Sequence, residues 1–531
     1  MKATDGYIER DSAGIRLLKK SKKGLLRMVF SRSGLICLLL VIQVAILFGL
    51  FFYARGILPY YYVAEAIFTI IMVVYLFNSS HDPTAKLSWL ALIMVLPVFG
   101  ALLFLYTHSN LGHRMLKDRF AQVSRESQDK LSQDEEVFEN FKKDAPEAVG
   151  LASYLKRGGC HPVFDKTDVR YFPLGEDKFE ELLVQLQKAE KFIFLEYFII
   201  DEGLMWGKIL EILAEKAAQG VEVRMMYDGT CEFARLPHDY AKRLEELNIK
   251  CKSFAPLTPF VSTHYNYRDH RKILVIDGKV AFTGGVNLAD EYINVVERFG
   301  HWKDTAVMLE GEAAKSFTLM FLQMWNVSEK EPDNYERYLN ETSHKLENAP
   351  GYVIPYGDCP LDNERVGEWV YLDLLNRAQN YIYIMTPYLI LDGEMETAIK
   401  FAAERGVDVR LILPGIPDKK MPYALAKTHY KSLLESGVKI FEYTPGFVHA
   451  KVFVVDDREA VVGTINLDYR SLYHHFECAA YMYEASCIPD IKADFLQTEE
   501  KCRTVTPETV KNEKLSVKAT GIALKAIAPL M

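Results

Sequence analysis

A histidine and a lysine two positions apart occur twice in this chain, each time followed by an aspartate and an asparagine at fixed distances. The two sets are His270, Lys272, Asp277 and Asn287, and then His449, Lys451, Asp456 and Asn466. Each member of the second set lies 179 residues after its counterpart (449 − 270 = 466 − 287 = 179). One such pattern can arise by chance, but two in register indicate two copies of one site-building unit.

These residue types suit chemistry at a phosphate. His270 and Lys272 border a β-rich apolar run, so side chains two residues apart point to the same side of an extended strand. A lysine can hold a non-bridging oxygen while a neutral imidazole reaches phosphorus or a bridging oxygen. A phosphodiester needs a nucleophile on one side of phosphorus and a proton donor on the other. If the two copies pack about a pseudo-twofold axis, His270 and His449 can serve one phosphate, with Lys272 and Lys451 beside it.

The motif aspartates are predicted to point elsewhere. Asp277 is seven residues from His270 and therefore has the opposite strand parity. Together with Gly278 it also forms a strong hairpin-turn signal. We therefore include Asp277 and Asp456 in the catalytic motif, but we expect them to act chiefly on structure or from behind the reacting groups.

Four further residues are candidates for contacts around the phosphate. Asn287 and Asn466 follow glycine-rich segments, which let backbone approach a ligand closely, and they add side-chain donors. A nucleophilic imidazole needs an acceptor for its far nitrogen, and Asp304 and Glu477 are candidates for that acceptor. Other histidines could be structural or could contact substrate, namely His264, His429, His474 and His475.

Composition narrows the classes of partner and site. The chain has 63 Lys and Arg against 71 Asp and Glu, a net charge of −8, which argues against nucleic acid as the partner. The eight cysteines are scattered without a C-x-x-C pair, so they indicate neither a zinc site nor a disulfide framework. A chain of 531 residues is long enough for more than one domain.

The repeated residues are predicted to lie in two similar α/β halves, about 152–345 and 350–505. Strand and helix patterns alternate in each half, which is typical of βαβ units around a sheet buried on both faces. The predicted strands are 191–197, 221–228, 272–276, 279–283, 381–385 and 407–413. The predicted helices are 179–190, 209–219 and 398–405, and the segment 374–379 precedes the strand 381–385. Gly220 and Gly406 are predicted C-caps.

The N-terminal part predicts a membrane anchor. Three apolar runs at 35–54, 57–77 and 87–106 are each long enough for a spanning helix of about 20 residues. We predict a basic segment at 1–34, an anchor of two to three apolar helices at 35–106, a linker at 107–151 and a tail at 506–531.

The chain is therefore expected to be a multi-pass protein of the cell membrane. The basic residues that precede the first run should stay in the cytoplasm. Arg114, Lys117 and Arg119 favour a catalytic part that also faces the cytoplasm, whereas three complete crossings would put it outside. The number of crossings stays open at this point.

The two His-x-Lys-x4-Asp segments resemble the HKD motifs of the phospholipase D superfamily, and in particular those of bacterial cardiolipin synthases. The segments that carry the resemblance are 267–272, 282–287, 290–292, 302–305, 386–388 and 466–471, with 82–89 and 96–100 in the membrane part. The resemblance covers about residues 60 to 500. Two features depart from the family pattern: the run 35–54 is additional, and Thr464 stands where the family often has serine.

The resemblance implies that two phosphatidylglycerol molecules give cardiolipin and glycerol through a phosphatidyl-histidine, without metal or other cofactor. It implies His270 as the nucleophile and His449 as the acid and base, although the sequence itself is symmetric on this point. The alternatives are a phospholipase D-type hydrolase, a transferase that uses another alcohol, a superfamily nuclease, and a non-enzymatic membrane scaffold. The acidic composition and the apolar runs disfavour the nuclease.

Overall fold

The computed structural model describes residues 9–12, 14–17, 41–42, 44–45, 48–49, 58–79, 83–108, 111–237, 239–255, 267–329, 331–339, 344–362 and 364–530. The chain divides into two compact units. One contains residues 1–20, 117–256 and 266–521, and the other contains residues 21–116, 257–265 and 522–531. Both motif segments lie in the first of these units.

The strands are numbered in chain order. They are β1 (Glu9–Asp11), β2 (Gly14–Arg16), β3 (Thr167–Phe172), β4 (Phe192–Tyr197), β5 (Glu222–Asp228), β6 (Lys250–Phe254), β7 (Arg268–Asp269), β8 (Lys272–Ile276), β9 (Val280–Gly284), β10 (His301–Lys303), β11 (Ala306–Gly311), β12 (Tyr352–Asp358), β13 (Tyr381–Met385), β14 (Asp408–Pro414), β15 (Lys439–Tyr443), β16 (Gly446–Val448), β17 (Val452–Val455), β18 (Glu459–Gly463), β19 (His475–Tyr483) and β20 (Cys502–Thr504).

The α-helices are numbered in the same way. They are α1 (Leu58–Phe77), α2 (Pro83–Val95), α3 (Pro97–His108), α4 (Leu111–Ser127), α5 (Glu135–Asp144), α6 (Val149–Gly159), α7 (Gly175–Gln187), α8 (Leu204–Ala218), α9 (Thr230–Ala234), α10 (Tyr240–Glu245), α11 (Ala314–Asn326), α12 (Glu336–Leu339), α13 (Val366–Arg377), α14 (Gly393–Glu404), α15 (Lys420–Glu435), α16 (Tyr469–Tyr473), α17 (Ile488–Glu499), α18 (Pro507–Lys511) and α19 (Leu515–Lys525). Single 3-10 turns lie at Pro146–Ala148, Asp290–Ile293 and Ala528–Leu530.

Two mixed sheets with the same strand order organise the first unit. One sheet has the order β3-β11-β9-β8-β4-β5-β6, and the other has β12-β19-β18-β17-β13-β14-β15 followed by β20. Strands β4 and β5 run parallel and β8 and β9 antiparallel, as do β13 with β14 and β17 with β18. The predicted α/β class and the duplication are therefore confirmed, while the exact domain limits stay predictions.

Each sheet has its own apolar core. Helices α7 and α8 cover one sheet through side chains such as Leu186 and Ile209, and α13 and α14 cover the other through Leu374 and Ile399. Burial of one such side chain contributes about 1.5 to 3 kcal/mol. Helices α7, α8 and α14 begin four or five residues earlier than the sequence pattern predicted. The first turn of α8 is itself apolar, with Met205 and Trp206 buried, so the prediction missed apolar residues there.

Turn and cap geometry follows the sequence. Asp277 and Gly278 both have positive φ angles, +53° and +65°, as the tight turn between β8 and β9 requires. The second copy makes the same turn with Asp456 and Asp457, at +49° and +58°. The predicted hairpin is thus present in both halves.

Two short parallel strand pairs connect the halves. Strand β7, just before His270, pairs with β19 of the second half, and β16, just before His449, pairs with β10 of the first half. Each motif histidine is therefore placed by backbone from the opposite copy.

The other unit contains the helices α1, α2 and α3. Met72, Leu76, Trp89, Ile93 and Phe104 form a small apolar cluster between them. The chain breaks the predicted third run between α2 and α3, at Pro97, because proline cannot donate the backbone hydrogen bond of a continuous helix.

The predicted transmembrane helices are not confirmed. In the described ranges, none of the helices combines the length and the apolar character that crossing a membrane requires. Most of the run at 35–54 lies outside the described residues.

Candidate active site

His270 and His449 are each fixed by the opposite half through the backbone. The N–H of His270 donates to the Phe476 carbonyl at 2.9 Å, and the N–H of His449 donates to the Lys303 carbonyl at 2.7 Å. These bonds continue the short parallel pairs β7–β19 and β10–β16. Both imidazoles are buried, so the pairing holds them at the interface of the two halves.

The imidazoles are also oriented across that interface. His270 Nδ1 lies 2.8 Å and 2.9 Å from the two carboxylate oxygens of Glu477. His449 Nδ1 lies 2.7 Å from Asp304 Oδ2. The structure thus brings both predicted acceptors to a motif histidine, each from the other half. With Nδ1–H donating to a carboxylate, Nε2 keeps its lone pair for attack or proton transfer.

The motif lysines are buried beside their histidines. Lys272 Nζ donates to the His270 carbonyl at 2.5 Å, and Lys451 Nζ donates to the His449 carbonyl. Burial lowers the pKa of Lys272 to about 8 and that of Lys451 to about 7. An entering phosphate would meet two cations that burial destabilises, and it would stabilise them in return.

The two histidines and two lysines lie close enough for their charges to act on one another's pKa. Burial, with help from Lys272, Lys451 and His449, lowers the pKa of His270 well below its usual value. Burial and Lys451 lower the pKa of His449 to about 4. Both imidazoles are therefore neutral at pH 7 before a substrate binds, as a nitrogen nucleophile must be.

The motif aspartates do not reach this space. Asp277 accepts the backbone N–H groups of Glu190, Lys191 and Phe192 at 2.7 to 2.8 Å, at the start of β4. Lys272 pairs with the last residue of β4, so Asp277 lies at the opposite end of these strands. It ties the hairpin to the neighbouring strand.

Asp456 repeats this arrangement in the second half. It accepts from Gln379, Asn380 and Tyr381 at 2.7 to 2.8 Å, at the start of β13. The expectation of a structural role fits both positions, and direct participation in the chemistry does not.

The two repeated asparagines have different surroundings. Asn287 is occupied, since it accepts from the Ile199 N–H at 3.0 Å and donates to Tyr292 Oη at 2.9 Å. Asn466 Oδ1 is buried and has no hydrogen-bond partner among the described residues. Of the two, Asn466 is the one with a free acceptor for a ligand group.

The glycine-rich segments lie against Asp304 and Glu477, the carboxylates that orient the two histidines. A Cβ on Gly285 would lie 1.9 Å from Asp304 Oδ1, so the glycine makes room for that carboxylate. At the matching position of the second half, Thr464 Oγ1 donates to Glu477. In the first half, the backbone at Gly285 does make a close approach, but to the carboxylate of Asp304 and not to a ligand.

Aromatic side chains surround both histidines. The ring of Phe198 lies 4.9 Å from that of His270, and the rings of Tyr292 and Trp302 lie 5.5 Å from that of His449. His475 also contacts His270, with ring centres 5.3 Å apart. The sequence alone left the role of His475 open between structure and substrate contact.

One group of side chains has the spacing of a metal site. Within the described part of the chain, ligand atoms of His270, His475 and Glu477 lie within 4.8 Å of one another. Lys272 and Lys451 share this buried space, and two ammonium groups oppose a divalent cation. The donor set therefore fits protonated partners and an anionic ligand better than a metal.

Comparison with known proteins identifies the family. A family model described as cardiolipin synthase, PLD-like domain, matches residues 182–325 and 371–498, together more than half of the chain. A second one, described as phospholipase D-nuclease N-terminal, matches residues 67–106.

Individual relatives agree with this. A cardiolipin synthase of Geobacillus kaustophilus is 33% identical and covers 85% of this chain and 90% of its own length. An uncharacterised protein of Streptococcus mutans is 59% identical, over 86% of this chain and 99% of its own.

A solved structure shares the fold. The crystal structure of a phosphatidylserine synthase from Haemophilus influenzae aligns with a TM-score of 0.53 and 16% identity, over 68% of this chain and 93% of the other. The chain itself has two sheets with the same strand order and two histidine–lysine pairs, each held by the opposite half. Together with these matches, this means that the chain belongs to the cardiolipin synthase family of phospholipase D-like proteins.

Proposed function

We propose that this protein is a membrane phosphatidyltransferase that makes cardiolipin and glycerol from two phosphatidylglycerol molecules. The observation that carries the proposal is the pair of buried histidines, each oriented by a carboxylate of the opposite half, with two lysines beside them. This arrangement gives one phosphate a nucleophile, a proton carrier and a cationic pocket. The family relationship favours a phospholipid as the phosphodiester.

In the first half-reaction, His270 Nε2 attacks the phosphorus of phosphatidylglycerol. The P–N bond forms as the bond from phosphorus to the glycerol oxygen breaks, and protonated His449 gives its proton to that oxygen. The negative charge of the bound phosphodiester favours protonation of His449, against the lowering of its pKa by burial. Lys272 and Lys451 hold the non-bridging oxygens.

In the second half-reaction, a glycerol hydroxyl of another phosphatidylglycerol replaces the departed glycerol. Neutral His449 takes the hydroxyl proton while the oxygen attacks phosphorus, and the P–N bond breaks. Cardiolipin leaves and His270 is regenerated. Asp304 stabilises the imidazolium form of His449, and Glu477 fixes the Nδ1–H tautomer of His270.

The proposal includes a place at the cell membrane. Phosphatidylglycerol is a bilayer lipid, and the apolar runs between 35 and 106 are the proposed anchor, with the catalytic part on the cytoplasmic side. The match of residues 67–106 to an N-terminal family segment supports a shared role for this region. Nucleic acid is not proposed as a partner, because the net charge is −8.

Product analysis tests the proposal. Purified full-length protein in phosphatidylglycerol vesicles should form cardiolipin and free glycerol in equal amounts, measured by mass spectrometry. Peptides that contain His270 should carry a phosphatidyl group when the reaction is quenched early. Phosphatidate without cardiolipin would establish the hydrolase instead, and product formed only with another added alcohol would establish a different transferase.

A further inference from the structure

His475 is a buried imidazole next to the His270–Glu477 pair. It is 8% exposed, and neither ring nitrogen has a hydrogen-bond partner among the described residues. Its Nδ1 lies 3.4 Å from Glu477 Oε1, the oxygen that also faces His270 Nδ1. A buried polar group without a partner costs free energy, so a polar side chain retained here calls for a role.

The other half shows what differs at this position. Trp302 precedes Asp304 by two residues, as His475 precedes Glu477, and its ring lies beside His449 as the ring of His475 lies beside His270. The two sites therefore have an aromatic ring in the same place, but only the one beside His270 can tautomerise and donate from Nδ1.

The two carboxylates also differ in how they are stabilised. Asp304 Oδ1 accepts the backbone N–H of Thr305 at 2.9 Å. The corresponding N–H, that of Cys478, donates to Thr464 Oγ1 at 3.0 Å instead. Glu477 must therefore obtain donors from side chains, and Thr464 Oγ1 is one of them.

We propose that His475 is a positioning residue that donates its Nδ1–H to Glu477 and so keeps His270 in the tautomer with a free Nε2. The proposal rests on the proposed function, since it concerns how His270 is prepared for attack. If Glu477 took up a proton, its carboxyl group would donate to His270 Nδ1, and the ring hydrogen would move to Nε2 and block attack. A further donor to the carboxylate opposes this protonation.

The electrostatic surroundings of Glu477 favour such a donor. Burial raises the pKa of Glu477 well above its usual value, which favours the inactive protonated form. Burial lowers the pKa of His475 well below its usual value, so it is a neutral donor. The other charged and titratable groups that act on these residues are Lys272, Lys451, His449, Arg268, Asp468, Arg470 and His474.

The experiment compares His475→Phe, which keeps a ring but no donor, with His475→Asn, which keeps an N–H donor. In cardiolipin formation by the full-length protein, His475→Phe should lower kcat about 30-fold, with KM changed less than about threefold. The acid limb of the kcat profile should move up by about one pH unit, because Glu477 loses a donor. The kcat of His475→Asn should be at least about tenfold higher than that of His475→Phe.

Two comparisons separate positioning from packing. Trp302→Phe should leave the acid limb in place, because the indole does not donate to Asp304. In a protein that already carries Glu477→Gln, adding His475→Phe should lower kcat by less than about a further threefold, because an amide has no ionised form to stabilise.

Three results would overturn the proposal: equal activity of the Phe and Asn variants, an unmoved acid limb, or full additivity with Glu477→Gln. If His475→Phe does not fold, His475→Asn and its combination with Glu477→Gln decide by the same criteria. Failure of the wild-type protein to make cardiolipin would refute the proposed function separately.

Discussion

Asp304 Oδ2 lies 2.7 Å from His449 Nδ1, although the two residues belong to different copies of the repeat. Glu477 and His270 form the reciprocal pair at 2.8 Å. Each copy thus supplies the carboxylate that the other copy's histidine uses. Each copy therefore contributes the histidine of one pair and the carboxylate of the other. Neither copy alone contains a complete histidine–carboxylate pair.

Removal of either carboxylate charge should impair catalysis while leaving the fold intact. Asp304→Asn and Glu477→Gln should each lower kcat about 10²- to 10⁴-fold, because an amide that donates to Nδ1 would stabilise the wrong imidazole tautomer. Steady-state kinetics on phosphatidylglycerol vesicles measures the loss, and circular dichroism serves as the folding control. Retention of more than a tenth of the activity in either variant would contradict the assigned orientation.

Both motif histidines should be essential. His270→Ala and His449→Ala should each lower turnover by at least about 10³-fold, because the reaction needs a nucleophile on one side of phosphorus and a proton carrier on the other. Radiolabelled phosphatidylglycerol gives the required sensitivity. Substantial activity in either single variant would rule out a shared site.

The motif aspartates should matter for stability more than for chemistry. Asp277→Asn leaves one acceptor oxygen for three backbone N–H groups, and the loss should be about 2 to 3 kcal/mol of unfolding free energy. Asp456→Asn should behave alike. Thermal unfolding in detergent would show the lower midpoint. A large fall in kcat of the fully folded variants, with no loss of stability, would refute this role.

The alkaline side of the pH profile should reflect the buried lysines. Burial depresses the pKa of Lys451 to about 7, so its positive charge is present below that pH and is lost as the pH rises through it. Therefore kcat/KM should fall above about pH 7 to 8. Lys451→Arg keeps its charge and should move the fall to higher pH. An identical alkaline limb in both proteins would exclude Lys451 as its cause.

Gly285 should not tolerate a methyl group. Gly285→Ala places a Cβ 1.9 Å from Asp304 Oδ1, so the carboxylate must move away from His449, and kcat should fall about 100-fold. Gly150→Ala is a matched control, because no atom outside its own helix lies within 4 Å of the added carbon. Near-normal activity of Gly285→Ala would show that Asp304 can shift without consequence.

Much of the fold could be predicted from the sequence because the patterns that specify strands and turns are local. The strand 272–276 and the Asp277–Gly278 turn were predicted at their observed places, since alternation and turn chemistry lie within a few neighbouring residues. The starts of α7, α8 and α14 were predicted four or five residues too late. The break at Pro97 was visible as a residue, but its effect on the apolar run was underestimated.

The site was readable only in part. Duplication pointed to the two histidines and lysines, and the need for an acceptor pointed to Asp304 and Glu477. Which carboxylate serves which histidine depends on the pairing of β7 with β19 and of β10 with β16, and pairing between distant segments leaves no periodic signal. His475 was left unassigned for a related reason: its importance comes from a neighbour in space.

The exchange of strands and carboxylates between the halves has a consequence for dissecting the protein. A fragment ending near residue 345 would keep Asp304 with no imidazole to accept from, and β7 and β10 would become unpaired edges. Each separate fragment should therefore be poorly soluble and inactive. Activity should return only when the two fragments are mixed. Because both halves are in one chain, each half finds its complement without the diffusional encounter that two free polypeptides would need.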